Sequence, residues 1–118
     1  MATAVKRKLS GSTDGKPIKV VQTSTAGTAV HTAVAGTTAG TFDEIWLWAQ
    51  NNHTANVLLT IEYGSADEEN KIILTVPFKS GLIPVCPGLP LQNAATVKAF
   101  AATANVISIH GFVNAITD

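Results

Sequence analysis

The sequence contains a single cysteine, Cys86, and this scarcity excludes several kinds of site. An internal disulfide needs two cysteines, and a cysteine-based zinc site needs more than one. The neighbours of Cys86 include Pro84, Val85 and Pro87, which are apolar or rigid. These surroundings favour a buried structural thiol over a reactive nucleophile.

Recognisable catalytic and metal-binding motifs are also missing from the sequence. It has no serine-hydrolase elbow, no zinc-protease histidine pair and no phosphate-binding loop. His31, His53 and His110 are far apart, and none has a second ligand at metal spacing. The acidic run Asp67–Glu69 lacks the alternating spacing and the glycine of a calcium loop. We therefore predict no catalytic, metal-binding or cofactor-binding residues, and we expect that the protein is not an enzyme.

Charge and long apolar runs are scarce as well. Charged residues make up 14% of the chain, against roughly 25% in a typical soluble domain. The formal net charge is zero, while 46% of the residues are hydrophobic. No apolar run approaches the roughly 20 residues of a membrane helix, so we expect no membrane partner. Low charge with high apolar content indicates a surface that another protein covers.

The positive charges that are present cluster at the N-terminus. Five of the eight basic residues lie in the first nineteen positions: Lys6, Arg7, Lys8, Lys16 and Lys19. We predict a basic N-terminal segment over residues 1–16, which forms either an extended arm or a weakly ordered edge strand, and a folded domain over residues 17–118. Such an arm binds an acidic protein surface or nucleic acid, or remains solvated. The arm lies outside the strand pattern, so little of the core is expected to depend on it.

From Ile18 to Ile116, short runs of β-branched, apolar and aromatic residues recur about every ten residues, separated by turn residues. This rhythm is typical of an all-β sandwich or barrel. We predict a single all-β domain, a β-sandwich of about eight strands, either jelly-roll-like or immunoglobulin-like, with the extended N-terminal arm attached.

The stretch from Thr41 to Gln50 predicts a strand with two different faces. Because side chains alternate along a strand, one face carries Phe42, Glu44, Trp46 and Trp48, and the other carries Asp43, Ile45, Leu47 and Ala49. We expect this strand to form a hairpin with residues 55–63. Trp46 and Trp48 then project side by side, and three roles stay open: core packing, a partner interface, or a stacking platform for sugars.

Several segments of the chain resemble small β-rich virion proteins of tailed bacteriophages. The resemblance covers nearly the whole chain and is carried by Leu9–Val20, His31–Thr37, Phe42–Ala49, Leu58–Gly64, Ile83–Leu89 and Ala104–Asn114. No motif with a defined chemical role is matched, so the resemblance assigns no role to any residue. Some proteins of this kind are capsid decoration, or cement, proteins that clamp neighbouring capsid subunits, commonly as trimers.

The resemblance implies a structural virion protein that binds and stabilises the capsid after assembly in the host cytoplasm. The expected partners are the major capsid protein and further copies of the chain, as a homotrimer, with no direct nucleic-acid contact. The predicted interface residues are Lys6, Arg7, Lys8, Trp46 and Trp48. The alternative is a carbohydrate-binding module, or a head-fibre or tail adhesion protein, that uses Trp46 and Trp48.

Overall fold

The structure is a computed structural model that describes residues 2–118. It contains nine β-strands, one short 3-10 helix over Glu68–Asn70 and no α-helix among those residues. The strands are β1 (Thr3–Lys8), β2 (Ile18–Lys19), β3 (Thr28–Thr32), β4 (Phe42–Asn51), β5 (Val57–Gly64), β6 (Lys71–Val76), β7 (Ile83–Leu91), β8 (Thr96–Ala101) and β9 (Ile107–Thr117).

The strands form two antiparallel sheets that pack together, as the sequence predicts. The first sheet has the order β1-β9-β4-β7, with β2 also paired to β9, and the second has the order β3-β8-β5-β6. The pairs β1–β9, β3–β8, β4–β7 and β5–β6 join the two halves of the chain like one long hairpin. That hairpin is rolled so that β4 also meets β9 and β5 meets β8. This is a jelly-roll arrangement, which decides between the two predicted sandwich types.

The core lies between the sheets and follows the period of two. Along β4 the burial alternates at every residue, with Ile45, Leu47 and Ala49 fully buried and Trp46 and Trp48 half-buried. The predicted faces of this strand are therefore confirmed, and its tryptophans point away from the second sheet. The facing strands supply further buried aliphatic side chains, among them Leu59, Ile61, Val97, Ile107 and Ile109.

The predicted hairpin between β4 and β5 is wrong, because the two strands belong to different sheets. Asn51 ends β4 and is completely buried. Its Nδ2 donates to the carbonyl oxygens of Ala55 and Val76, at 3.0 and 2.9 Å. These bonds hold the turn where the chain crosses from one sheet to the other. A turn-like sequence between two strands does not reveal whether they pair or cross.

The N-terminal residues differ in burial before and at Leu9. Residues 3–8 form β1, an edge strand paired with β9 whose six side chains are all exposed. Leu9 is only 1% exposed and belongs to the core cluster. Gly11 donates its N–H to the Val30 carbonyl of β3 at 2.9 Å. The expectation that little of the core depends on residues 1–16 is therefore wrong for Leu9.

Candidate binding surface

The outer face of the first sheet carries a cluster of three aromatic side chains, Trp46, Trp48 and Phe112, which we call the aromatic patch. Trp46 lies directly opposite Phe112 in the β4–β9 register. The three ring centroids are 6.0 to 6.4 Å apart in every pairing, and the planes differ by 14° to 27°. In a simple column the outer two rings would be about twice as far apart as neighbours. The three ring centroids therefore form a triangle, and the rings make up one contiguous patch.

Neighbouring strands fix the orientation of Trp46. Gly88 of β7 has φ +75°, and a Cβ there would lie 2.7 Å from Cζ2 of the indole. The absence of a side chain at Gly88 lets the indole lie against the β7 backbone. On the same face, the Trp46 Nε1 donates to Oε1 of Glu44 at 2.8 Å. Half-buried aromatic rings with fixed orientations lose little conformational entropy when a partner covers them.

Glu44 supplies the negative charge beside the patch. Its Oε1 accepts hydrogen bonds from Asn114 Nδ2 at 3.0 Å and from Trp46 Nε1 at 2.8 Å. These two donors, Asn114 first, lower the pKa of the Glu44 carboxyl, because both bonds favour its charged form. Glu44 is therefore a carboxylate at neutral pH.

The predicted basic interface residues divide between the two faces of β1. Lys6 lies with its Nζ 4.3 Å from the centre of the Phe112 ring, a cation–π contact that extends the aromatic patch. Lys8 is opposite Phe112 in the β1–β9 register, on the same face. Arg7 is opposite Val113, a buried residue, and so faces the other way. The structure thus brings Lys6, Trp46 and Trp48 together and separates Arg7 from them.

Arg7 lines a cavity of about 320 Å³ at the open end of the sandwich, together with Lys8, Ser10, His31, Asp43 and Ala115 among others. Inside it, the buried His31 and Asp43 are joined by an Nε2–Oδ2 contact of 2.7 Å. The backbone N–H of Ser10 donates to His31 Nδ1 at 2.9 Å. His31 Nδ1 is thus an acceptor, and Nε2 carries the proton that it donates to Asp43.

This cluster has the residue types of a serine-hydrolase triad but not its geometry. The Ser10 hydroxyl oxygen accepts from the Thr32 N–H at 2.6 Å, and both nitrogens of His31 are engaged elsewhere. A triad needs a histidine nitrogen directed at the serine hydroxyl. Here the hydrogen bonds instead tie Ser10 and β3 to Asp43 of β4, so the cluster stabilises the end of the sandwich.

Cys86 is buried, and its Sγ donates to the Ile45 carbonyl oxygen at 3.2 Å. Burial raises the pKa of the thiol, which opposes formation of the thiolate. Tyr63 belongs to β5 in the facing sheet, and its hydroxyl donates to the carbonyl oxygens of Leu89 and Pro90 in β7 at 2.9 and 3.2 Å. Burial also raises the pKa of Tyr63. Both groups anchor β7.

Within residues 2–118, no three residues among the histidine, cysteine and acidic side chains come together as a metal site. In the same range, no helix has the length and apolarity needed to cross a membrane. No protein-family model matches the chain, and neither a curated protein nor a solved structure matches it. The resemblance to phage virion proteins therefore stays a hypothesis.

Sequence reasoning missed Phe112 as part of the surface. The alternation along residues 105–113 placed Phe112 on the same strand face as His110. Nothing local indicated that this face lies beside Trp46, because β4 and β9 are far apart in sequence. His31 and Asp43 were missed for the same reason, although a carboxylate among the core-facing residues of β4 was a usable signal.

Proposed function

We propose that this protein is a structural virion protein of a tailed bacteriophage that binds the major capsid protein and stabilises the shell. The observation that carries the proposal is the aromatic patch, an outward-facing surface of Trp46, Trp48 and Phe112 beside Lys6. Aromatic side chains are enriched at the centres of protein interfaces, and tryptophan is a frequent hot-spot residue.

Two further features support this function. Jelly rolls are frequent in viral capsid proteins and in lectins, which is an argument from fold analogy alone. The exposed basic strand β1 lies directly beside the patch and adds Lys6 and Lys8 to the same face. A capsid surface that carries carboxylates around an apolar pocket would match this combination of rings and cations. We expect the bound form to be a homotrimer, because closed threefold symmetry matches a local threefold site on a capsid.

The proposal is tested by cosedimentation with empty capsids assembled from the major capsid protein of the same phage genome. We expect the wild-type chain to sediment with the capsids and to saturate at a fixed copy number. Trp48→Ala should weaken binding about 30-fold, because truncating a central aromatic hot spot typically costs about 2 kcal/mol or more. Lys6→Ala should weaken binding by a smaller factor that disappears at high salt, since an exposed charge is screened.

The matched control is Phe78→Ala, because Phe78 is 52% exposed and lies in the turn after β6, a strand of the second sheet, whereas the aromatic patch lies on the first. This variant should bind like the wild type, and circular dichroism should show all variants folded. Wild-type chain that stays in the supernatant with capsids contradicts the proposal. So does equal binding by the Trp48 and Phe78 variants.

The ring geometry also favours a second candidate function, carbohydrate binding. Near-parallel aromatic rings are suited to stacking on sugar rings, and Glu44, Asn114 and His110 stand around them as hydrogen-bonding groups. A glycan array read by fluorescence tests this function, with Trp48→Ala as the control. Saturable glycan binding that Trp48→Ala abolishes, together with no capsid binding, would establish the second candidate instead of the first.

A further inference from the structure

The two sheets have four edges, formed by β1 together with the short β2, by β7, by β3 and by β6, and each open edge exposes backbone groups that can pair with another chain. Two of these edges are protected, and a third carries charges that limit which strands can pair with it. The edge strand β7 contains Pro84, Pro87 and Pro90, which have no N–H to donate. The short β3 is covered by residues 10–11, which hydrogen bond to Val30 and to Thr32. The edge of β1 carries the consecutive charges of Lys6, Arg7 and Lys8.

The fourth edge, β6, has none of these devices in the part of the chain that is described. It pairs with β5 in an uninterrupted register from Val76 to Lys71, with no bulge and no proline. Its one charge, Lys71, forms an ion pair with Glu68 at 2.9 Å. Ile73, in the middle of the strand, is 56% exposed. An open, apolar edge with strong β-propensity is suited to accept a further strand.

The surroundings of β6 select which strand it accepts. The turn immediately before it carries the exposed acidic side chains of Asp67, Glu68 and Glu69. A strand that runs antiparallel to β6 brings its C-terminal end beside this turn. A strand with positive charge at its C-terminal end is therefore favoured. The strand β1 of a second copy meets this requirement, because its C-terminal half is Lys6-Arg7-Lys8 and its N-terminal half is uncharged.

The apolar side chains match as well. Val5 is 50% exposed in the middle of β1, as Ile73 is in β6. An antiparallel register with Val5 opposite Ile73 pairs these two side chains and places Lys8 at the level of the acidic turn. The same register places Arg7 opposite Lys71, whose ammonium group is paired with Glu68 at 2.9 Å, so the favourable charge match lies at Lys8 and the acidic turn.

We propose that copies of this chain join head to tail, with β1 of one copy adding antiparallel to β6 of the next. The contact is heterologous, so it closes into a ring when the rotation between copies is a simple fraction of a turn. A ring of three would build the homotrimer expected above. The contact needs no capsid, so it is tested in the isolated protein. Self-association can fail there while capsid binding is observed, and capsid binding can fail while self-association is observed.

Disulfide trapping tests the pairing directly. In antiparallel strands, directly opposed residues have Cα atoms about 4.5 to 5.5 Å apart, within the range that a disulfide spans. We expect the double variant Val5→Cys/Ile73→Cys to form covalent multimers on mild oxidation, seen on a non-reducing gel. Each single variant should remain a monomer on that gel. The native Cys86 is buried and does not compete.

Covalent dimers from Ile73→Cys alone would show β6 pairing with β6 and would overturn the proposal. Dimers from Val5→Cys alone would overturn it in favour of β1 pairing with β1. A second measurement uses light scattering on chains without added cysteines. The wild-type chain should have the mass of a multimer, and the Ile73→Lys variant should have the mass of one chain. The control Val21→Lys changes a residue that is 49% exposed and outside both strands, and this variant should keep the mass of the wild type.

The charge match is tested by a swap. Glu69→Lys and Lys8→Glu should each raise the dissociation constant about two- to fivefold, the range for an exposed ion pair, and the double variant should restore it. A wild-type chain that is monomeric at every concentration, without trapped multimers of the double cysteine variant, overturns the proposal.

Discussion

Leu9 anchors the N-terminal strand to the core, so truncations on either side of it should differ sharply in stability. Deleting residues 2–8 removes β1, whose side chains are all exposed. Ordering a residue costs about 1 to 2 kcal/mol, and a backbone hydrogen bond contributes about 0.5 to 1.5 kcal/mol net. With about one bond per β1 residue, these terms offset each other to within about 0.5 kcal/mol per residue, and we expect the free energy of unfolding to change by at most about 3 kcal/mol over the six residues of β1.

Deleting residues 2–16 also removes Leu9, which is 1% exposed, and the Ser10 and Gly11 bonds to β3. A buried Leu→Ala change alone costs about 2.7 to 5.0 kcal/mol. The total free energy of unfolding of a typical domain is only about 5 to 15 kcal/mol. Leu9→Ala in the full chain should therefore lower the melting temperature by about 10 to 20 °C, at about 4 °C per kcal/mol.

Urea unfolding followed by tryptophan fluorescence measures these differences. The control is Val5→Ala, a change at a half-exposed side chain of β1, which should stay within about 0.5 kcal/mol of the wild type. The reasoning is refuted if Leu9→Ala costs less than about 1 kcal/mol. It is also refuted if deletion of residues 2–8 destabilises the chain as much as deletion of residues 2–16.

Three further predictions concern single residues around the aromatic patch and β7. Gly88→Ala should cost about 1 to 3 kcal/mol in urea unfolding and shift the tryptophan emission, because a side chain at φ +75° is strained and meets the Trp46 ring; unchanged stability and emission would contradict this packing. Cys86 should resist a thiol reagent at pH 8 in the folded protein and react once the chain is unfolded, because burial raises its pKa; rapid labelling of the native protein would show that it is accessible. The pKa of Glu44 is lowered on folding, so its contribution to stability is present above its unfolded pKa of about 4.5 and is lost as the pH falls through the folded pKa. The Glu44→Gln variant should therefore lose less free energy of unfolding than the wild type as the pH falls below 4.5. The same dependence on pH in both proteins would contradict the lowered pKa of Glu44.

The sequence by itself determined the local structure of most strands. Alternation in residues 41–50 predicts the two faces of β4, and the structure has them as expected. The apolar and β-branched segment 71–76, followed by Pro77, predicts a strand, and it forms β6 with the same bounds. Pro84 predicts an edge strand or an extended connection, and it lies in the edge strand β7. These features depend on the chain within a few residues, where the period of two and the missing proline N–H act directly.

The tertiary structure decided which strands meet. The two prolines and the glycine of residues 87–91 predict a rigid loop, and this prediction is wrong, because the segment continues β7. Register shifts in the pairing of β7 with β4 accommodate the prolines on an open edge. Phe112 joins Trp46 and Trp48 only because β9 lies beside β4. Leu9 is buried only because the folded chain brings it into the core cluster, which combines residues from both sheets. Pairing between distant strands depends on the packing of the whole sandwich, and a local sequence pattern carries no information about that packing.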